Sequence, residues 1–312
     1  MKIYRGIEHL PPAFGPVVAT IGNFDGVHRG HRMVIEEVIA RAHTLGIASL
    51  AITFDPHPVF VLRPDSTLKL ITPLQRKLEL LAETGIDATL VLPFDHELSH
   101  TSAHDFAAKI LVGAARVVEV HEGENFRFGF NAEAGIDDLA SLGRDLGFTV
   151  KSYAPRALRG APVSSSRIRA LIAAGDMNHA RALLGRPFAV DSTPASGRGF
   201  GTRYAVPTIN LAPYENLLPA NGVYCTTLTV HGESFRAVTN IGNRPTFGED
   251  SFAVESYLLN FHPLDLQPDT PLCLTFYKRL RGEKKWPTPE ALKAQIALDV
   301  NRAERFFTLA GL

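Results

Sequence analysis

"VVATIGNFDGVHRGH", residues 17–31, joins an unbroken apolar run to a glycine-rich turn and then to two histidines three residues apart. The run reads as a buried β-strand, and "HRMVIEEVIARAHTLG" (31–46) carries apolar residues at helical spacing until Gly46 stops it. A helix that starts near Gly30 or His31 turns unpaired backbone N–H groups and a partial positive charge toward whatever lies beyond the strand end. Gly22, Gly26 and Gly30 let the backbone come close to a bulky polyphosphate, and His28 and His31 share a helix face from which both rings reach one phosphate cluster. Taken alone the stretch fits an anion site, a two-ligand metal site or a solvated surface pair. It is neither the G-x-G-x-x-G of a dinucleotide fold nor a Walker loop.

The same rhythm continues outward. "ASLAITF" (48–54), "DATLVLPF" (87–94), "AARVVEVHEG" (114–123) and "FTVKSYA" (148–154) read as strands, and Pro56 and Pro58 break the first of them. "TPLQRKLELLAETG" (72–85), "SAHDFAAKILVG" (102–113) and "GIDDLASLGRDLG" (135–147) read as helices between them, the first with Thr72 as N-cap and Pro73 at its first position. Strand and helix in alternation predict an open parallel sheet covered on both faces, which binds ligands beyond the carboxyl ends of its strands where the chain order reverses. Past two short helices parted by Gly175 and Asp176, the pattern changes. Six β-type runs from Phe188 to Leu280 and one long helix, "TPEALKAQIALDVNRAERFFTL" (288–309), predict a small antiparallel six-stranded β-barrel with a C-terminal helix. The expected domains are therefore 1–184 and 185–312.

Composition narrows the function classes. With 45% hydrophobic and 21% charged residues the chain has enough apolar material for two cores, which argues against disorder. Thirty-two Lys plus Arg balance 32 Asp plus Glu, which leaves no footprint for nucleic acid or a membrane surface. Cys225 and Cys273 are too few for a disulfide framework or a cysteine-rich zinc site. "MKIYRGIEHLPPAFGP" lacks the apolar centre of a signal peptide, and no apolar run is long enough to cross a bilayer, so a cytoplasmic protein is expected.

Two further stretches weigh on the histidines. "GENFRFGF" (123–130) follows a strand and offers Asn125 and Arg127 between aromatic residues. "VSSSRIRALI" (163–172) sets Ser164, Ser165 and Ser166 at a helix start, with Arg167 and Arg169 behind them. Hydroxyls and free N–H groups beside a guanidinium make a clamp for a diphosphate.

"GNFDGVHRGH", "TFDPHP", "GENFRFG" and "SSSRIR", in this order and spacing, resemble the N-terminal half of the bacterial bifunctional riboflavin kinase/FAD synthetases. That half belongs with the Rossmann-like α/β nucleotidyltransferases that carry H-x-G-H. The resemblance implies adenylyl transfer from ATP to FMN, giving FAD and pyrophosphate. It implies that His28 and His31 are catalytic donors to phosphate oxygens, and that Gly22, Asn23, Phe24, Gly26, Ser164, Ser165, Ser166, Arg167 and Arg169 hold the nucleotide and the departing pyrophosphate. Asn125 and Arg127 would hold the flavin substrate, and Mg²⁺ would come with ATP, carried mostly by phosphates and water.

The resemblance continues through "SGRGFGTRYAVPTINL" (196–211), "VESYLL" (254–259) and "RLRGEKKWPTPEALKAQIALDV" (279–300) as a riboflavin kinase. It implies that Gly197, Arg198 and Gly199 lie on ATP phosphates, that Thr208 and Asn210 ligate Mg²⁺, and that Glu255 is the general base on the ribityl hydroxyl. Arg279, Arg281 and Trp286 fall in the flavin-side flap. The family's usual wording is G-R-x-x-G-F-P-T-A-N; here Val206 and Ile209 replace its Phe and Ala, and the spacing is longer. That departure motivates a second reading, in which the barrel binds flavin without phosphorylating it. The expected partners are small molecules, ATP, riboflavin and FMN, with no nucleic acid, no membrane and weak homo-oligomerisation.

Overall fold

A computed structural model describes residues 1–158, 160–195, 208–243, 252–262 and 264–312. Their contacts divide the chain into two compact units, Met1–Ser165 and Ser166–Leu312.

In the first unit, β1 (Lys2–Arg5), β2 (Val17–Ile21), β3 (Ala48–Asp55), β4 (Ala88–Pro93), β5 (Val117–Gly123) and β6 (Thr149–Tyr153) form one sheet in the order β1-β4-β3-β2-β5-β6. Every neighbouring pair is parallel. The five strands expected from apolar runs are all present. β1 is the addition: "KIYR" is mostly exposed, so no alternation marks it, and it gains strand geometry by pairing with β4 at the sheet edge. From β2 the chain builds outward through β3 to β4, then returns to β5 on the other side of β2. The order therefore reverses between β2 and β5, where neighbouring strand ends leave a crevice.

The helices of this unit are α1 (Arg29–Leu45), α2 (Pro58–Leu62), α3 (Leu74–Ala82), α4 (His96–Ser99), α5 (Ala103–Asp105) and α6 (Ile136–Leu146). Val18, Val38 and Ala42 pack together on one face of the sheet, while Val17, Ala19, Ile21 and Leu50 pack with Phe106, Ile110, Leu111 and Leu139 on the other. Two expectations need correcting. The helix over 102–113 continues beyond Asp105 as π-helical turns, Phe106–Ala114, which keep Phe106, Ala107, Ile110 and Leu111 against the sheet. Thr72 is not the cap of α3: Pro73 is, because the Thr72 hydroxyl is used by the turn that follows β2. A short hairpin, β7 (Ala157–Leu158) with β8 (Ala161–Pro162), leads to α7 (Ser165–Ala173).

In the second unit, α8 (Met177–Leu184) precedes a six-stranded antiparallel sheet, β9 (Phe188–Ser192), β10 (Thr208–Asn210), β11 (Gly222–Val230), β12 (Glu233–Asn243), β13 (Phe252–Leu258) and β14 (Leu272–Gly282). Its order is β10-β13-β12-β11-β14-β9. The sheet curls until its edges meet, where Pro194 bridges Leu211, Ala195 N–H donates to Asn210 O (2.8 Å) and Ala212 N–H donates to Thr193 O (2.8 Å). The C-terminal helix, α9 (Pro289–Ala310), lays Ala303 and Phe307 on Val223, Cys225 and Val238 outside the barrel. Inside, a chain of fully buried hydroxyls crosses three strands: Thr226 to Thr239 (2.6 Å) and Thr239 to Ser256 (2.8 Å).

Candidate active sites

The strand end of β2 passes into a tight turn. Phe24, Gly26 and Val27 all have positive φ (47°, 87° and 36°), which Gly26 adopts freely but which in Phe24 and Val27 is costly and persists only where the surroundings hold it. The buried Asp25 carboxylate does the holding: it accepts from the backbone N–H of Ile71 (3.1 Å) and Thr72 (2.9 Å) and from the Thr72 hydroxyl (3.3 Å). That hydroxyl oxygen accepts in turn from Gly26 N–H (3.0 Å).

The turn delivers His28 as the N-cap of α1. His31 N–H donates to His28 Nδ1 (3.2 Å), and the two rings stack with centroids 3.6 Å apart and 16° between planes. A ring nitrogen that accepts carries no proton, so the neutral His28 ring bears its hydrogen on Nε2. Gly30 lets the ring lie close: a Cβ on it would stand 3.2 Å from the His28 ring, which would have to shift by a few tenths of an ångström. Ser165 closes the corner, its hydroxyl donating to Asp25 O (2.8 Å). His28, His31, Gly22, Asn23, Gly26, Ser164 and Ser165 thus come together around one helix start. Phe24 is buried with Val27, Ile35 and Leu80, and its ring meets His31 edge-on at 5.3 Å.

Asn125 lies in the exposed turn after β5, beside the end of β2, while Phe126 and Phe128 stack with centroids 5.4 Å apart. Arg127 extends over Gly135, where its Nη1 would stand 3.1 Å from an added Cβ. Ser166, Arg167 and Arg169 occupy α7.

Four groups at this corner escaped the sequence reading of the site: Asp25, Thr72, Lys77 and Glu122. Lys77, on α3, is 7% exposed and donates to Asn23 O, Thr53 Oγ1 and Phe54 O. It shares a cavity with Asn23, Asp25, Asp55, His57 and Thr72. Burial lowers its pKa to about 8, against the opposing pull of Asp25 and Asp55. Glu122 is held between β5 and β2, and burial raises its carboxyl to about 8 although Ile21 N–H, the Thr20 hydroxyl and Gly123 N–H all favour the anion. The available signals were a lysine among Leu74, Leu78 and Leu81 on an apolar helix stripe, and a glutamate in a buried strand.

In the second unit, strand register assembles the other candidate site. Asn210 pairs with Glu255, and Thr208 with Tyr257, across β10 and β13; Glu255 pairs on its other side with Asn240 of β12. Directly opposed residues of antiparallel strands share a face, so Thr208, Asn210, Glu255 and Asn240 present oxygen atoms together, and Asn240 is the member sequence reasoning missed. Arg279 and Arg281 are engaged within the protein. Arg279 donates to the carbonyls of Asn221 and Ala174 (the latter 3.4 Å). Arg281 donates to Asp299 Oδ2 (2.8 Å) and Gly282 O (3.1 Å) and lies over the Trp286 ring, 5.6 Å from its centroid. Gly197, Arg198 and Gly199 lie outside the described residues.

No helix among the described residues is long and apolar enough to cross a membrane. The family model for FAD synthetase matches residues 11–167, and that for riboflavin kinase matches residues 184–307. The chain is 36% identical to the bifunctional riboflavin kinase/FMN adenylyltransferase of Pseudomonas fluorescens, covering 97% of each chain, and 33% identical to that of Escherichia coli K12, covering 99% of each. A crystal structure described as a macrolide-efflux protein from Streptococcus pneumoniae shares the fold, with a TM-score of 0.87 at 22% identity over 97% of this chain and 99% of that one. With its two family matches end to end and relatives aligned over nearly its whole length, the chain belongs to the bifunctional riboflavin kinase/FMN adenylyltransferases.

Proposed function

We propose that the chain phosphorylates riboflavin to FMN within residues 185–312 and adenylylates FMN to FAD within residues 1–184, using ATP for both. The observation that supports the reading of the first half is the cap at His28, where His31 N–H donates to His28 Nδ1 at the N-terminus of the helix that follows β2. An FMN phosphate oxygen attacks the α-phosphorus of ATP there, and the bond to pyrophosphate breaks. His28 and His31 donate to phosphate oxygens as charge builds on them, while the first-turn N–H groups of α1 and α7 with Ser164, Ser166, Arg167 and Arg169 hold the leaving pyrophosphate. Asn125 and Arg127, beyond β5, take the flavin side.

In the second half the ribityl hydroxyl attacks the γ-phosphorus, ADP leaves, and Glu255 takes the hydroxyl proton. Thr208, Asn210 and Glu255 on one face form an oxygen-only donor set, which suits a hard cation. Mg²⁺ held by Thr208 and Asn210 would supply charge neutralisation on the ATP phosphates. Gly197, Arg198 and Gly199 would cover those phosphates. In this reading the chain works on small molecules in the cytoplasm with weak self-association, and the balanced net charge supports neither nucleic acid nor a membrane surface as partner.

A chromatographic time course of riboflavin with ATP and Mg²⁺ tests both halves. FMN should rise first and FAD follow. FAD from added FMN, with no FMN from riboflavin, would instead favour the flavin-binding, kinase-inactive barrel that Val206 and Ile209 suggest. Neither product would overturn the proposal.

A further inference from the structure

Two ionisable side chains that the roles above leave unused grip the end of β2 from opposite sides. From the β3 side comes Lys77: its ammonium donates to Asn23 O (3.2 Å), Thr53 Oγ1 (3.1 Å) and Phe54 O (3.2 Å). Three protons meet three acceptors, and one contact ties the chain leaving β2 to the end of β3. From the β5 side comes Glu122: its Oε1 accepts from the Ile21 backbone N–H and from the Thr20 hydroxyl (3.0 Å). The β2–β5 pairing extends only to Ala19 and Val120, so the Glu122 carboxyl takes over where the ladder stops and the strands part. Residues 21–23 are thereby held on both edges, and the turn they feed ends at His28.

Apolar side chains would join these strands at lower cost, because a buried ammonium or carboxyl gives up its hydration. The charge balance gives Lys77 a purpose beyond cohesion. Asp25 and Asp55 face it, and His57 lines the same cavity. Without the ammonium, the two carboxylates would line that cavity unopposed by its charge.

We infer that Lys77 and Glu122 are positioning residues for adenylyl transfer: from either side of β2 they fix the Ile21–Asn23 segment and, with it, the turn that delivers His28 to the phosphates. The inference rests on the adenylyltransferase reading of this unit. Both groups change charge over the same interval, since Lys77 loses a proton and Glu122 becomes a carboxylate as pH rises through about 8. The other titratable groups of β5 form a separate network on the face that α1 covers, where Glu119 binds Arg41, His121 and Lys151, and Tyr153 meets His121 and Glu37.

The test uses full-length Lys77→Met, Lys77→Arg and Glu122→Gln. The kcat and KM of FAD formation are measured from pH 6 to 9.5, with riboflavin phosphorylation by the same preparations as the check on folding. Lys77→Met should lower kcat about 10- to 100-fold, as a misplaced reacting group does, and raise the KM for ATP. In wild type kcat should fall above pH 8 as Lys77 loses its proton, and Lys77→Arg, which keeps the charge, should recover part of the rate without that fall. Glu122→Gln, whose amide cannot become the better-accepting carboxylate, should match wild type below pH 8 and fall more steeply above it, and riboflavin phosphorylation should persist throughout. If Lys77→Met does not fold, the Lys77→Arg and Glu122→Gln profiles decide. Profiles that superimpose on wild type, or a parallel loss of both activities with thermal stability, would overturn the assignment. A wild-type chain that makes no FAD would overturn the functional reading, and this inference with it.

Discussion

His31 N–H donates to His28 Nδ1 at 3.2 Å while the two imidazoles stack at 3.6 Å. The contact serves stability and chemistry at once: it caps α1, and it leaves the His28 proton on the nitrogen that faces away from the helix. The two contributions separate by substitution. His28→Ala should cost about 1 kcal/mol through the lost cap and slow FAD formation about 10²- to 10³-fold through the lost donor. His28→Asn restores a good cap without the ring, so thermal stability should return and the rate should not. FMN formation from riboflavin should continue in both variants. Thermal unfolding and pyrophosphate release read the two effects independently.

Glu122 and Lys77 also imprint opposite slopes on stability against pH. The Glu122 carboxyl is raised from 4.5 to about 8 in the folded chain. Between those values the folded state holds a proton that the unfolded state has released, so this contribution to stability falls as pH rises from about 4.5 to 8. Lys77 is lowered from 10.5 to about 8. There the unfolded state holds the extra proton, and stability gains from pH 8 to 10.5. Melting temperatures across pH should show Glu122→Gln rising relative to wild type from pH 5 to 8, with the gap level above that. Lys77→Met should fall relative to wild type between pH 8 and 10.5.

The parts of this chain that declare themselves in sequence are those where local pattern and tertiary role agree. The apolar run at Val17, the glycine turn and the amphipathic helix after it need no distant partner to be read, and they contain His28 and His31. β1 is silent because "KIYR" is polar and exposed, and only pairing with β4 makes it a strand. Thr72 reads as a helix cap on local grounds, yet Asp25, far back in the chain, claims its hydroxyl. Lys77 and Glu122 are hidden in the same way, each inside an apolar element and each explained by atoms of β2 or of the residues just after it. The contacts of Arg279 and Arg281 are illegible for the same reason, because their protein partners, Ala174, Asn221 and Asp299, are remote in sequence.

Arg281 offers a direct check on that last point. Its guanidinium reaches Asp299, which is 1% exposed and otherwise accepts only from Gln295 Nε2 (2.8 Å) among the described contacts. Removing one partner of a buried pair leaves the other charge stranded. Arg281→Met should therefore destabilise the second unit by about 3 kcal/mol, within the usual range for such a break. Arg281→Met paired with Asp299→Leu should recover most of that loss. Denaturant unfolding of the full chain measures both, and the KM for riboflavin in the double variant shows whether the guanidinium also serves the flavin.

The register between β10 and β13 makes the sharpest demand on the kinase half. Asn210, Glu255 and Asn240 lie in one row across three strands, so each can be altered without moving the others' backbone. Glu255→Gln keeps the shape and hydrogen-bonding capacity of the side chain but cannot take up a proton. Riboflavin phosphorylation should drop about 10²- to 10⁴-fold, the usual worth of a positioned base, while FAD continues to form from added FMN. Asn210→Ala removes an oxygen donor and leaves the base, so the activity it loses should return in part as Mg²⁺ is raised. Asn240→Ala should fall between the two, because Asn240 adjoins Glu255 without pairing with Asn210. If raised Mg²⁺ rescued Glu255→Gln as fully as Asn210→Ala, the carboxylate would be a metal ligand and not the base.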